Sequence, residues 1–327
     1  MRRAGGFSCV VALILCVLLF TLSLSSCTGG ATGEEDPEIV CTIYPIYDLV
    51  RCVLGDRIAE HPVGVLSDNG NDPHNLQPSV RDIAAVKDAS LFLYVGGASD
   101  AWAEELLSPD AVSVALLDVC DVCESDHGHG DEGEDGHGHD HHDHGEYDEH
   151  FWLSLTNAMQ AVEEICRVLS EVYADDAETV ADLRANADAY LASLAALDAR
   201  YREAVESAAL DTVLVADRFP FLYLMRDYGL TYHAAFPGCS TECDASFDTV
   251  ARLSETLKGT EIPAVIITET GDRALAETVI RASGRENVEI LVLHSCQSVT
   301  KKDRERGVTY LSIMENNLSV LTRALTP

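Results

Sequence analysis

Four side chains in this 327-residue chain are placed to hold a cation. His74 lies in Asn71-Asp72-Pro73-His74, after an apolar run at residues 62–66. His150 opens His150-Phe151-Trp152-Leu153-Ser154, just ahead of a helical pattern. Asp217 ends the apolar run 213–216, and His294 directly follows the run 288–293. Three imidazoles and one carboxylate suit Zn²⁺, which takes nitrogen and carboxylate oxygen in tetrahedral geometry. Mn²⁺ prefers more carboxylate or water. Four protein donors fill a tetrahedral shell, whereas a catalytic zinc keeps one position open for water. The set therefore points to holding a cation rather than to catalysis, and the sequence contains no HExxH.

The elements around these residues alternate short apolar runs with amphipathic stretches. Residues 39–44, 62–66, 89–95 and 112–117 read as strands, with helices at 46–54 and 80–87. The second half repeats the theme, with strands at 212–216, 264–268 and 288–293 and helices at 247–257 and 273–282. Alternation of this kind predicts an α/β fold: two lobes, each a mostly parallel sheet flanked by helices. Residues 175–209 contain no Gly or Pro, and Leu183, Ala187, Tyr190, Leu194, Leu197 and Tyr201 recur every three or four positions. One long backbone helix between the lobes is expected there, of about 50 Å, with little hinge freedom. A coiled-coil dimerisation helix competes, but the stripe is not a sustained heptad, and the chain is expected to be a monomer. The resulting division is a leader at 1–26, a tether at 27–37, an N-terminal lobe at 38–174, the linking helix, and a C-terminal lobe at 210–327. In open parallel sheets, ligands bind beyond the carboxyl ends of the strands. His74, Asp217 and His294 emerge from such ends, and His150 sits in a helix-entry loop.

The charge is as uneven as it is large. The chain carries 22 Lys+Arg against 55 Asp+Glu, a formal net charge of -33, which disfavours nucleic acid and anionic headgroups as partners and suits cations. No Lys or Arg occurs between Lys87 and Arg167, and residues 118–150 hold 13 carboxylates. Within them, His127, His129, His137, His139, His141, His142 and His144 alternate with Asp, Glu and Gly. Such low hydrophobicity predicts a disordered loop over 121–147, either a solvated acidic insertion or a low-affinity zinc collector near the main site.

Arg2 and Arg3 precede an apolar run ending in Leu24-Ser25-Ser26-Cys27, the form of a secretory signal. Eight cysteines follow Cys27, an even number that suggests disulfides in an oxidising compartment. For Cys120-x-x-Cys123, a local disulfide or pairing elsewhere is preferred to half a zinc site.

Jointly these features resemble the metal-binding lipoproteins of bacterial ABC transporters, in their zinc/manganese cluster. Leu-Ser-Ser-Cys resembles a lipobox, which implies acylation of Cys27 and a lipid anchor outside the cytoplasmic membrane. Asp72-Pro73-His74-Asn75-Leu76-Gln77-Pro78-Ser79 resembles the family's first-ligand motif, and Asp148-Glu149-His150-Phe151-Trp152-Leu153-Ser154 its second. Thr42-Ile43-Tyr44-Pro45-Ile46-Tyr47 is similar to the opening strand, residues 89–97 to the strand that follows the first ligand, and residues 310–325 to the closing helix. Counting back from Tyr228-Gly229 puts Arg218 at the third ligand position, and Arg cannot bind a cation, so Asp217 is taken as its substitute. The fourth position, normally Asp, holds His294. Glu269 resembles a carboxylate common near the family site, a second-shell group or an alternative ligand. The resemblance implies metal at the interface of the two lobes, Zn²⁺ before Mn²⁺, delivered to a permease and, through it, to transport driven by an ATPase. In this family His-rich loops accompany zinc specificity. The competing readings are a manganese or iron carrier, an extracellular zinc hydrolase with Glu269 as base, and a surface adhesin.

Overall fold

The computed structural model describes residues 37–67, 76–107, 111–124, 147–236, 238 and 245–327. The leader, Cys27, His74, the seven loop histidines, Cys239 and Cys243 lie outside the described residues. Residues 37–327 form one compact unit.

Each sheet has four parallel strands. The first contains β1 (Ile39–Cys41), β2 (Val63–Val65), β3 (Leu91–Tyr94) and β4 (Ser113–Ala115), ordered β2-β1-β3-β4. The second contains β5 (Thr212–Val215), β6 (Thr231–Ala234), β7 (Ala264–Ile267) and β8 (Glu289–Val292), ordered β6-β5-β7-β8. The helices are α1 (Tyr44–Leu54), α2 (Val80–Asp88), α3 (Ala101–Leu106), α4 (Leu155–Val172), α5 (Ala177–Glu206), α6 (Leu222–Tyr228), α7 (Phe247–Gly259), α8 (Arg273–Ser283), α9 (Lys301–Glu305) and α10 (Tyr310–Ala324). The expected α/β architecture, two parallel sheets flanked by helices, is thus the observed one.

The period-2 alternation of strand side chains sorts the core. Ile39, Cys41, Leu91, Leu93, Val213, Val215, Ala264 and Ile266 enter one continuous cluster, which also takes in residues of α1, α4, α5 and α10. The opposite faces fill two satellites: Val40, Phe92 and Tyr94 with Val86 and Ala103, and Leu214, Val265 and Ile267 with Leu253, Leu257, Ala276 and Val279. Both sheets therefore share one apolar interior, whose stripe on α5 is Leu183, Ala187, Leu194, Leu197 and Tyr201. The helix starts where Asp176 accepts from the Glu178 and Thr179 N–H groups, and it is 30 residues long, about 45 Å. Gly55, at φ 56, ends α1 where a Cβ would strike Asn186. Asn186 on α5 donates instead to the Val53 and Leu54 carbonyls, satisfying orphan acceptors of the α1 terminus.

Polar contacts also tie the elements of the two sheets together. The Trp152 indole N–H donates to the Ser295 carbonyl at 2.8 Å, and the Tyr310 hydroxyl donates to the Trp152 carbonyl. The Tyr310 N–H donates to buried Asp48 on α1, and the Tyr201 hydroxyl to the Met314 carbonyl.

The expected disulfides are not formed among the described residues: Cys41, Cys52, Cys120, Cys123, Cys166 and Cys296 are free thiols. Cys120 turns its Sγ toward the Asn157 carbonyl of α4 instead of toward Cys123. Burial raises its pKa to about 12, so it is no thiolate donor at neutral pH. Among the described residues, no helix is long and apolar enough to cross a membrane.

Candidate metal centre

His150 is the best-prepared donor. It is buried, and its Nδ1 lies 2.9 Å from Asp148 Oδ1, which also accepts the His150 backbone N–H. An ionised carboxylate only accepts, so Nδ1 carries the proton that the pair shares. This is the carboxylate–imidazole pairing that orients metal ligands. Asp148 is fixed in turn, because its carbonyl accepts the Tyr223 hydroxyl of α6 at 2.6 Å and its N–H donates to the Cys123 carbonyl. The spacing Asp-x-His carried this information in the sequence, although no role was assigned to Asp148 there.

The His150 ring packs edge-on against Trp152, with centroids 5.3 Å apart. Trp152 reaches the carbonyl of Ser295, the neighbour of His294, so the indole joins the two histidine segments. His294 follows β8, and Asn317 of α10 brackets its backbone: the amide oxygen accepts the His294 N–H at 2.9 Å and the amide nitrogen donates to its carbonyl at 2.8 Å. Asn317 is fully buried, and nothing in the sequence patterning singled it out. Replacing it with leucine leaves two buried backbone groups without partners, an expected loss of about 2–4 kcal/mol in denaturant unfolding, together with weaker cation binding. An unchanged unfolding midpoint would contradict this role.

Glu269 lies beyond β7. Its Oε2 accepts the Ser295 N–H, and its Oε1 accepts the hydroxyls of Ser295 and Ser298 and lies 3.4 Å from His294 Nδ1. Burial pushes this carboxyl up, but His294 and the Ser295 donors outweigh it and hold the pKa below the ordinary value. Burial lowers the His294 pKa against the pull of Glu269 and Asp303, which favours the neutral imidazole that a cation requires. His294 Nδ1 accepts the Cys296 N–H at 2.9 Å.

Asp217 lies beyond β5, as expected, but its carboxylate is fully engaged. Oδ1 accepts the Arg218 N–H, and Oδ2 accepts both the N–H and the hydroxyl of Thr268. Gly271 packs so closely that a Cβ there would lie 1.8 Å from Oδ2. Asp217 thus braces the loop that carries Glu269. The structure brings His150, His294 and Glu269 into one connected network, with Asp217 behind it. Among the described residues, no group of three or more His, Cys, Asp or Glu closes a metal cage by itself.

A second buried acid stands beside this network. Asp100 accepts the Val95 N–H at 2.7 Å and the Thr42 hydroxyl, and the neighbouring Glu149 accepts the Ser99 N–H. Burial, with an added push from Glu149, raises the Asp100 pKa from 3.8 to about 6 against the pull of the Val95 N–H. A carboxyl raised by folding contributes stability that is complete below its unfolded pKa and is lost as pH rises through the folded one. Relative to Asp100→Asn, the wild type is therefore expected to gain about 1 kcal/mol on going from pH 7 to pH 5. Parallel urea midpoints for the two proteins across that range would contradict it.

Comparison with known proteins gives the family of the chain. The chain matches the family described as ZnuA, zinc-uptake complex component A, periplasmic, over residues 39–324. It is 34% identical over 309 residues to the zinc-binding lipoprotein AdcA of Streptococcus pneumoniae, covering 94% of this chain and 60% of AdcA. The chain therefore spans less than two thirds of that relative's length. It is 27% identical to the high-affinity zinc uptake system protein ZnuA of Bacillus subtilis, covering 99% of this chain and 98% of that one. The crystal structure of the Zn(II)-bound ZnuA-like domain of S. pneumoniae AdcA is 29% identical, with a TM-score of 0.68, covering 88% of this chain and 98% of that domain.

Proposed function

The chain belongs to the zinc-uptake component A family of ABC-transporter binding proteins, and from that premise we propose that it captures Zn²⁺ between its two lobes for an importer. The nitrogen donors are His74, His150 and His294. The carboxylate donor is Glu269 through Oε1, because both oxygens of Asp217 hold backbone N–H groups, whereas Glu269 Oε1 holds serine hydroxyls that can rotate away and already lies beside His294. The observation that carries the reading is the Asp148–His150 pair, in which a carboxylate fixes the orientation of a buried imidazole as it does for metal-bound histidines.

Zinc is favoured over Mn²⁺ by the nitrogen-rich donor set. The chain acts as a carrier, held outside the membrane by lipid on Cys27, and delivers its cation to a permease whose ATPase supplies the energy. The lobes are 38–174 and 210–327, linked by the 175–209 helix. The shared core and the Trp152 and Tyr310 bonds support a small lobe rotation on binding, of a few degrees.

The acidic histidine-rich insertion gathers zinc at low affinity and passes it to the main site. Deleting residues 125–146 is expected to slow zinc acquisition when the metal is scarce and to leave the tight site's affinity within about 3-fold. Loss of tight binding on deletion would refute that division of labour. The donor set is tested by zinc titration against a competing chelator: Glu269→Gln is expected to weaken binding by about 100-fold and Asp217→Ala by about 10-fold, the latter through displacement of the loop. The reverse order would return the carboxylate role to Asp217.

A further inference from the structure

The two sheets lock the loops at their carboxyl ends with the same device. In the second sheet, Asp217 beyond β5 accepts the N–H and the hydroxyl of Thr268 beyond β7, and Gly271 leaves room for the carboxylate. In the first, Asp100 beyond β3 accepts the Val95 N–H at 2.7 Å and the hydroxyl of Thr42 beyond β1 at 3.4 Å. The strand orders make β1 and β3 the counterparts of β5 and β7. Each Asp–Thr pair therefore spans the two central strands where a parallel sheet opens its crevice. The Thr42 carbonyl also accepts the Ser67 N–H at 3.0 Å, so the exits of β1, β2 and β3 are tied at Asp100.

Asp217 braces the loop of Glu269. Asp100 braces a turn, residues 95–100, that presses on the chain neighbour of His150. The Ser99 N–H donates to Glu149 Oε1 at 2.8 Å. A Cβ on Gly97 would fall within 2.5 Å of Glu149 Oε1, Cδ and Cγ. Gly97 itself has an ordinary extended backbone, φ -99 and ψ -166, so glycine is needed there for room and not for conformation. Asp100 and Glu149 are both buried, and burial together with the Glu149 charge raises the Asp100 pKa. Two like charges so placed destabilise a fold, a cost that sequences retain at functional sites.

We propose that Glu149 is a positioning residue for the His150 donor, and that the 95–100 turn, locked by Asp100 and shaped by Gly97, holds it in place. The inference rests on the zinc-binding reading above. Glu149 is no donor itself, because Oε1 holds a backbone N–H and the end of its side chain lies along Gly97. His150 is then fixed at two points, on its ring by the Asp148 carboxylate and on its backbone through Glu149. A donor ordered before the cation arrives loses less freedom on binding.

A mutant cycle tests this in the full chain by zinc titration against a competing chelator. Gly97→Ala drives a methyl into Glu149 and is expected to weaken zinc binding by about 10-fold, as is Glu149→Ala. Gly97→Ala added to Glu149→Ala is expected to cost less than about 2-fold more, because the side chain it strikes is gone. Glu149→Gln keeps the shape and the acceptor for Ser99, and should restore affinity to within about 3-fold of wild type. Co²⁺ bound in place of Zn²⁺ supplies a readout that stability alone does not move, since its visible absorption follows donor geometry. That spectrum should change in Gly97→Ala and Glu149→Ala and not in Glu149→Gln. Equal losses from Gly97→Ala in both backgrounds overturn the inference, and so does wild-type affinity in Glu149→Ala. Glu149→Gln as weak as Glu149→Ala also overturns it, because charge or a direct bond to the metal would then be what matters. If Gly97→Ala fails to fold, the comparison of Glu149→Ala with Glu149→Gln decides alone. Wild-type chain that binds no zinc refutes the zinc-binding reading itself, before any variant is compared.

Discussion

Replacing His150 with alanine is expected to lower zinc affinity by about 100- to 1,000-fold, the largest loss from any single substitution here. A complete four-donor Zn²⁺ site is worth about 10–16 kcal/mol at neutral pH, so one well-placed nitrogen accounts for about 3–4 kcal/mol. His150 is well placed because its ring is buried, packed against Trp152 and fixed in one tautomer by Asp148. Asp148→Asn keeps the shape and removes the charge, and should cost about 10- to 100-fold, as outer-shell partners of metal-bound histidines do. Competition with a chromophoric chelator measures both. The graded order is the informative part: equal losses would mean that Asp148 serves the fold rather than the imidazole.

Trp152→Ala is expected to destabilise the protein by about 3–5 kcal/mol, which is the usual range for deleting a buried indole. Trp152 is 1% exposed, and its N–H bonds to the Ser295 carbonyl while its own carbonyl receives Tyr310. The substitution opens a cavity in the shared core and also unties the His150 segment from the His294 segment. A fall in both the urea midpoint and zinc affinity is therefore expected, whereas a core residue remote from the site, such as Leu257 of the satellite cluster, should lower stability alone. Trp152→Phe fills most of the cavity without the N–H and should recover stability more than affinity. If Trp152→Ala altered stability and left zinc binding intact, the indole would be packing only.

Much of this was legible in the sequence, for physical reasons that differ from element to element. Strands β3, β5 and β7 appear as apolar runs because both faces of a sandwiched parallel sheet are covered. The long helix is readable because residues 177–206 lack Gly and Pro and repeat apolar side chains at helical spacing. Strand β6 was missed: Thr231-Tyr232-His233-Ala234 lies at a sheet edge and is only partly covered, so it shows no apolar run. The expected strand 39–44 is shorter, ending at Cys41, because Pro45 is in the first turn of α1, which already starts at Tyr44. That both sheets share one core was not legible, since periodicity shows which residues are covered and not what covers them.

The site divides the same way. Helix-entry placement nominates His150 as a ligand and strand-end placement nominates His294, which remain proposals; the structure joins their segments through Trp152. The choice between Asp217 and Glu269 is not legible, because it depends on which carboxylate oxygens hold backbone donors and which hold only hydroxyls. Among the described residues the disulfide expectation failed for a related reason. Cysteine spacing says nothing of where each sulfur points, and Cys120 points into α4.

The central claim, a tight zinc site built from His74, His150, His294 and Glu269 rather than from the histidine-rich insertion, is tested most directly by metal analysis of the chain lacking residues 125–146 after equilibration with Zn²⁺, Mn²⁺ and a competing chelator. The account predicts one Zn²⁺ retained per chain and no Mn²⁺. Retention of no metal, or of Mn²⁺ in preference to Zn²⁺, would contradict it.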